Sequence, residues 1–401
     1  MQPLWKHRNY MLLSAGQGIS WLGTEISGIA MPLIVLALTG SAALAGTIAA
    51  MRGITYVLLS LPAGYALDRG NRRNIMIISN LGSGLAMFMV FLALLFKHLS
   101  IPELFILYGI EGSCFVFANI GRFSSLRFIV PNEQLHAAIA QDSAVGQFAQ
   151  MVGPSFGGFL YQTVGPMISF LADALSYVIN AIALSFVNNS LSLEKKEPDE
   201  GLRKGLKEAA AWLWGQQLYR VYLCMSWIRI IVVEAVSLLV IILAKQFHAS
   251  AGFIGIILAI SAASGVIGSI VAGKFARKYN RFTALVVTGI ISTAIFMLYF
   301  IASNLVTLTI ITAILFALFP SYYIICAGII GKIPHHIQGR VTSITRSGDF
   351  ICYSLGLTLM GFTVQFLGDK WTISIFSLLL FVFLMIMISN KKLLDAIPSA
   401  V

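Results

Sequence analysis

The sequence predicts an all-α membrane protein, with twelve transmembrane helices in two pseudo-symmetric six-helix bundles. Three observations predict it. Of the 401 residues 58% are hydrophobic and 11% charged, with a mean hydropathy of +0.86, more apolar surface than a soluble core of this length needs. The apolar residues fall into long runs separated by short charged turns. Lysine and arginine gather at alternate turns, which is how a polytopic chain sets its orientation.

A helix crossing the hydrocarbon takes about 20 mostly apolar residues. Twelve such stretches occur, at 10–37, 44–66, 74–96, 102–125, 141–162, 167–188, 219–244, 251–273, 282–302, 305–330, 342–366 and 371–389. None alternates as a barrel strand does, and runs this long satisfy their own backbone polar groups as helices. The first run is too long for a signal-peptide core and has no small-residue cleavage site, so no cleavable signal is expected.

With the N-terminus inside, the odd-numbered connections hold only Lys97, Lys245 and Lys370. The other side holds 22 basic residues, and Arg52 and Arg229 lie within spans. Both termini are therefore expected in the cytoplasm and the chain in the cell membrane. The net charge of +11 is a topology signal. Its basic residues are spread over many loops facing membrane lipids, so no nucleic-acid partner is expected. Cys114, Cys224, Cys326 and Cys352 fall in four different spans and offer neither a disulfide framework nor metal spacing.

The turn after the second span, GYALDRGNRR from Gly64 to Arg73, sets one aspartate among three arginines between two apolar runs. A second internal connection differs from the rest. Residues 189–218 carry EKKEPDEGLRKGLKE and divide the chain into an N-terminal bundle, 1–188, and a C-terminal bundle, 219–401. In this linker Leu202, Leu206, Ala209 and Leu213 recur at helical spacing beside Trp212 and Trp214, with Arg203, Lys204 and Lys207 available for lipid phosphates. That pattern predicts an interfacial amphipathic helix. The halves also echo each other. GKFARKYNR starts at Gly273, 273 − 64 = 209 residues after Gly64, and the prolines of VPNEQL and IPHHIQGR are 334 − 131 = 203 apart. Weak repeats at half the chain length are a mark of duplicated transporter bodies.

With these residues in view, the chain resembles the major facilitator superfamily along its whole length. GYALDRGNRR is similar to the family's loop signature G-x-L-A-D-R-x-G-R-R, matching at Gly64, Asp68, Arg69, Arg72 and Arg73 and departing at Ala66, Leu67 and the Gly70–Asn71 order. TGSA, VPNEQL, FLADAL with Asp173, and GRVTS resemble the drug:proton antiporter branch that includes macrolide efflux proteins and the enterobactin exporter. GPSFGG, with Gly153, Pro154, Gly157 and Gly158, resembles the core of an antiporter signature, although Ala149 stands where that signature has an upstream glycine. The resemblance implies alternating access, and spans one and four at a central cavity. Gly64 then lets helices approach closely, Asp68 locks a cytoplasmic gate against the start of span eleven near Thr342 and Ser343, and the arginines bind helix ends or anionic lipid.

Charges within spans need a reason, since each costs on the order of 2.5–3.5 kcal/mol. Glu25, Arg52 and Glu111 lie about 12–18 Å below the outer surface at ~1.5 Å per residue. One acid is expected to pair with Arg52 and the other to take up and release a proton. Asp173, with Asn180 two turns on, is a second candidate for this work or for a packing hydrogen bond. Arg229 and Glu234 are expected on different faces, about 140° apart. Arg346 and Asp349 are expected to pair along one helix, and Asp142 to sit favourably at a helix start. Phe316, Phe319, Tyr322 and Tyr323 around Pro320 are read as packing aromatics, with a wall for an apolar ligand as the other reading.

No phosphate loop, nucleophile–base arrangement or metal cluster is present, so neither an enzyme nor a cofactor is expected. The expected function is proton-coupled export of a small amphipathic, drug-like compound by a monomer. The alternatives are a dedicated exporter of one metabolite, such as a siderophore or lipid-like molecule, and a non-transporting receptor or scaffold. Import remains open, because alternating access runs in either direction.

Overall fold

The computed structural model describes residues 4–188, 202–278, 280–330 and 333–395. The chain divides into two compact units, Met1–Glu197 with Ser250–Ala259, and Pro198–Ala249 with Ile260–Val401.

The first unit carries α1 (Arg8–Thr39), α2 (Ala42–Arg69), α3 (Arg72–Leu95), α4 (Ile101–Ile129), α5 (Leu135–Thr163) and α6 (Pro166–Ser185). Local chemistry sets the ends. Ser41 and Asn71 accept the first free amides of α2 and α3, and Ser100 and Glu103 form a reciprocal capping box on α4. Gly40 ends α1 at φ 66°, a left-handed conformation in which glycine has no Cβ penalty. α1 and α3 both pack on α6, α4 packs on α2 and α3, and α5 packs on α1. Ala30, Ile34, Ile48, Met87, Val90 and Phe170 fill the centre of the unit.

The second unit carries α7 (Leu202–Gly215), α8 (Gln217–Gln246), α10 (Arg281–Met297), α11 (Leu305–Leu318), α12 (Pro320–Ile330), α13 (His335–Ser389) and α14 (Lys391–Asp395). α9 (Ala251–Lys278) gives its first residues to the first unit and the rest to the second. α11 and α12 divide one apolar run at Pro320, which has no amide to continue the helix ladder. α8 packs along α13, and the α7–α8–α13 region encloses a second core that includes Leu213, Tyr222, Met225, Tyr322 and Leu384.

Among the described residues, ten helices are long and apolar enough to cross a membrane. The last of these runs from Arg340 to Ser389 and contains two crossings, because Gly368 breaks the helical conformation at φ 81°. α5 has the length for a crossing, but Gln141, Asp142, Gln147 and Gln150 make it the most polar long helix. Counting α5 and both parts of α13 gives the twelve expected crossings. No strand occurs among the described residues. The sequence echo is also a helix echo, since α2 and α9 end at Arg69 and Lys278, and 278 − 69 = 209.

Three expectations are corrected. A Cβ on Gly64 would meet nothing within 4 Å, so this glycine marks no close helix approach. Asp142 is not at a helix start, because α5 begins at Leu135 and places Asp142 two turns in, where it is buried. On α7, Ala209 and Leu213 of the apolar stripe turn to protein rather than to lipid, buried in the second core, while Trp214 is exposed. The side chains of Leu202, Arg203, Lys204 and Leu206 lie outside the described residues.

Candidate transport site

The first unit gathers polar side chains from four helices into one network. Arg52 on α2 donates to Glu111 on α4 through two nitrogens, Nη2 to Oε1 at 2.5 Å and Nε to Oε2 at 3.3 Å. This two-point fork is the strong form of an arginine–carboxylate pair. Tyr177 on α6 donates to the same Glu111 Oε1 at 2.6 Å and lies 3.2 Å from the Thr24 hydroxyl on α1. Asp173, one turn before Tyr177, accepts from Ser27 at 2.5 Å and from Thr24 at 3.5 Å. Arg52 also sits 4.7 Å from the centre of the Phe115 ring. Glu111 and Asp173 are almost fully buried, and every charge in the network has its partners.

Glu25 is different. It is half-buried one residue from Thr24, and among the described residues it makes no hydrogen bond or ion pair; Arg52 acts on it only through space. The pairing expected between Arg52 and one acid is therefore made by Glu111. Gly153 on α5 backs onto Glu25 so closely that a Cβ there would overlap that of Glu25. The rest of the GPSFGG segment is an equally tight seam. A Cβ on Gly157 would come 2.5 Å from the Ile26 carbonyl oxygen, and Gly158 and Pro154 abut Ala251 and Gly255 at the start of α9. Small residues let these backbones meet, as they do generally in membranes.

A second buried pair lies at the end of the unit that carries the Gly64–Arg73 turn. Arg122 on α4 pairs with Asp142 on α5, both almost fully enclosed, and the Arg122 guanidinium lies 4.6 Å from the Trp21 ring centre. α4 runs on to Ile129 and holds Arg122 inside the unit. Asn180 donates to Asn80 at 2.9 Å and so ties α6 to α3. Thr24, Ser27, Asn80 and Tyr177 were not singled out from sequence. Their signal was present as Thr24/Ser27 and Asp173/Tyr177, polar pairs one turn apart in apolar runs.

In the turn motif, Arg72 is buried. It donates to the Leu67 carbonyl at 3.2 Å and to Asp68 at 3.1 Å, which leaves the Asp68 carboxylate largely exposed. Arg73 reaches the last carbonyls of α6, at Leu184 (3.0 Å) and Ser185, a favourable place for a cation. Arg69 lies 4.2 Å from the Tyr65 ring centre.

In the second unit, Arg229 on α8 donates to the Phe319 carbonyl at 3.2 Å, at the α11–α12 break, and lies 3.8 Å from the Tyr323 ring centre. Glu234 is half-buried further along α8. Tyr322, stacked on Tyr222, donates to the Tyr222 carbonyl at 2.7 Å, a packing role as expected. Asp349 on α13 interacts through space with Arg346 and Arg229.

A sequence profile of the Major Facilitator Superfamily matches residues 13–347 and, in a second alignment, 222–394. The chain belongs to this superfamily. It is a multi-pass membrane transporter and not an enzyme. Among curated proteins it is similar to the multidrug efflux pump Tap of Mycolicibacterium fortuitum, 23% identical over 361 residues that cover 84% of this chain and 85% of Tap. Tap of Mycobacterium tuberculosis is 23% identical over 360 residues, covering 84% and 83%. Among solved structures, a bacterial homologue of the human lysosomal transporter Spinster, inward-facing and occupied, aligns over 100% of both chains with a TM-score of 0.78 at 13% identity. A bacterial homologue of the iron transporter ferroportin aligns over 98% of this chain and 100% of its own, with a TM-score of 0.71 at 16% identity. At these identities the structures speak for the fold alone.

Proposed function

We propose that this transporter exports small amphipathic compounds in exchange for protons, by alternating access, with Glu25 as the group that carries the proton. One observation carries the assignment of the acid. Within the spans of the first unit, Glu111, Asp142 and Asp173 are each held by hydrogen-bond partners, whereas Glu25 has none among the described residues. A carboxyl outside the network can gain and lose a proton without breaking it. Arg52 makes the two states of Glu25 unequal, and any movement of α1 against α2 changes that influence. The GPSFGG seam fixes α5 against Glu25, so a bend of α5 at Pro154 acts directly on the acid's surroundings.

Export as the direction is supported by the likeness to the Tap efflux pumps and by the antiporter-like GPSFGG segment. In this reading the Lys- and Arg-rich helix ends face the cytoplasm of a cell membrane, and Asp68, exposed and paired with its neighbour Arg72, is the mobile member of a gate. The chain works as a monomer.

The test is proton release on adding an amphipathic cation, ethidium, or an amphipathic anion, 2-naphthoate, to purified protein in weakly buffered detergent. One of the two should release protons from the wild type and from Glu111→Gln, and none from Glu25→Gln. Release that persists in Glu25→Gln overturns the assignment of the acid. Transport of either probe in liposomes with no response to a proton gradient overturns antiport itself.

A further inference from the structure

The arginines set within the helices are not treated alike. Arg52, Arg72 and Arg122 each have a carboxylate within ion-pair distance, Glu111, Asp68 and Asp142 respectively. Arg229, only 7% exposed, has none among the described residues. One of its nitrogens is spent on the Phe319 carbonyl and its flat face on Tyr323, but its Nε is enclosed and makes no hydrogen bond. Asp349 is felt only through space, and its Oδ1 is likewise enclosed without a hydrogen bond. The Trp227 indole N–H lies beside Asp349 outside hydrogen-bond geometry.

A guanidinium shut away from water without a counter-ion is expensive, and enclosed polar groups left without partners call for an explanation. The carbonyl and the aromatic face hold Arg229 in place without neutralising it. What the site lacks is an anionic oxygen. Tyr323, 42% exposed, leaves an apolar approach beside the charge. We infer that Arg229 is the recognition point of a binding site in the second unit for the anionic oxygen of an amphipathic compound, a carboxylate or a group of similar charge and shape, whose apolar body lies along Tyr323. Asp349 stands beside this site as a competing negative charge. The inference takes from the proposed function only the statement that the compound bound here is the one transported.

The experiment measures binding of 2-naphthoate and its neutral isostere 2-naphthamide to the full chain in detergent, by calorimetry. The wild type should prefer the anion by about tenfold, a free-energy difference of about 1.4 kcal/mol. Arg229→Gln should abolish that preference while leaving naphthamide binding unchanged and lowering the thermal unfolding temperature only slightly. Arg229→Lys should keep part of it, since charge remains but the planar fork is lost. Asp349→Asn should strengthen naphthoate binding. Equal binding of the two probes to the wild type, or an undiminished preference in Arg229→Gln, overturns the site. So does weaker naphthoate binding in Asp349→Asn, because Asp349 would then be supporting the arginine rather than competing with the anion. Glu25→Gln separates the two readings: it should leave the naphthoate preference intact, and loss of proton release there says nothing against Arg229.

Discussion

The two units handle positive charge inside the membrane in opposite ways. In the first, Arg52, Arg72 and Arg122 each sit in a fork or contact with an acid from another turn or helix, and a tyrosine hydroxyl completes the network around Glu111. In the second, Arg229 is held by a backbone carbonyl and an aromatic face, with its nearest acid out of contact. The difference teaches where a change of state is to be sought: on the proposals above, at Glu25, which stands outside the paired Arg52–Glu111–Tyr177–Asp173 network among the described residues, and at Arg229, where we infer that an anionic ligand completes the site. The sequence echo between the halves therefore covers helix ends and turns, while the charges within the spans have diverged.

This comparison is most sharply broken by stranding a buried acid. Arg122→Ala should cost about 3–5 kcal/mol, because it leaves Asp142 enclosed and uncompensated. The double change Arg122→Met with Asp142→Leu should recover most of that loss in urea or thermal unfolding of the detergent-solubilised protein. Arg52→Met should cost somewhat less, about 2–4 kcal/mol, since Arg52 is partly exposed and Tyr177 still serves Glu111. If Arg229→Met proves as costly as Arg52→Met, the contrast between the units is wrong. The expected loss there is about 1 kcal/mol or less, since no carboxylate is stranded.

The helix seams offer a smaller effect. Gly157→Ala drives a methyl group against the Ile26 backbone and should cost about 1–3 kcal/mol by overpacking. Gly64→Ala meets empty space within a helix and should be neutral or slightly stabilising. Equal losses at the two glycines would undo the reading of GPSFGG as a close seam. The smallest expected effect is at the exposed pair of Arg340 and Glu208, 3.7 Å apart between α13 and α7. Removing it should change stability by at most a few tenths of a kcal/mol and vanish in high salt.

Much of the fold was legible in the sequence and much of the site was not. The caps at Ser41, Asn71 and Ser100, the break at Pro320 and the turns at Gly64–Arg73 and Gly273–Arg281 all follow from residues within a few positions of the feature. Arg52 and Glu111 were recognisable as candidates because charge is rare in an apolar run. Asp142 was misread because α5 is too polar to reveal where its helix begins. Gly64 was misread because a motif glycine looks the same in sequence whether it faces a helix or open space. The sequence could not say which of Glu25 and Glu111 takes Arg52, since both lay at similar depth.

By itself the sequence determined the long apolar runs that cross the membrane, their helical character and the superfamily. These depend on local hydropathy and turn chemistry, which a membrane enforces segment by segment. Only the tertiary structure decided which charges are paired and which stand alone. The Arg52–Glu111 contact spans 59 residues, Glu111–Tyr177 spans 66 and Ser27–Asp173 spans 146. Partners so distant are chosen by how helix faces pack, a property that no single segment carries.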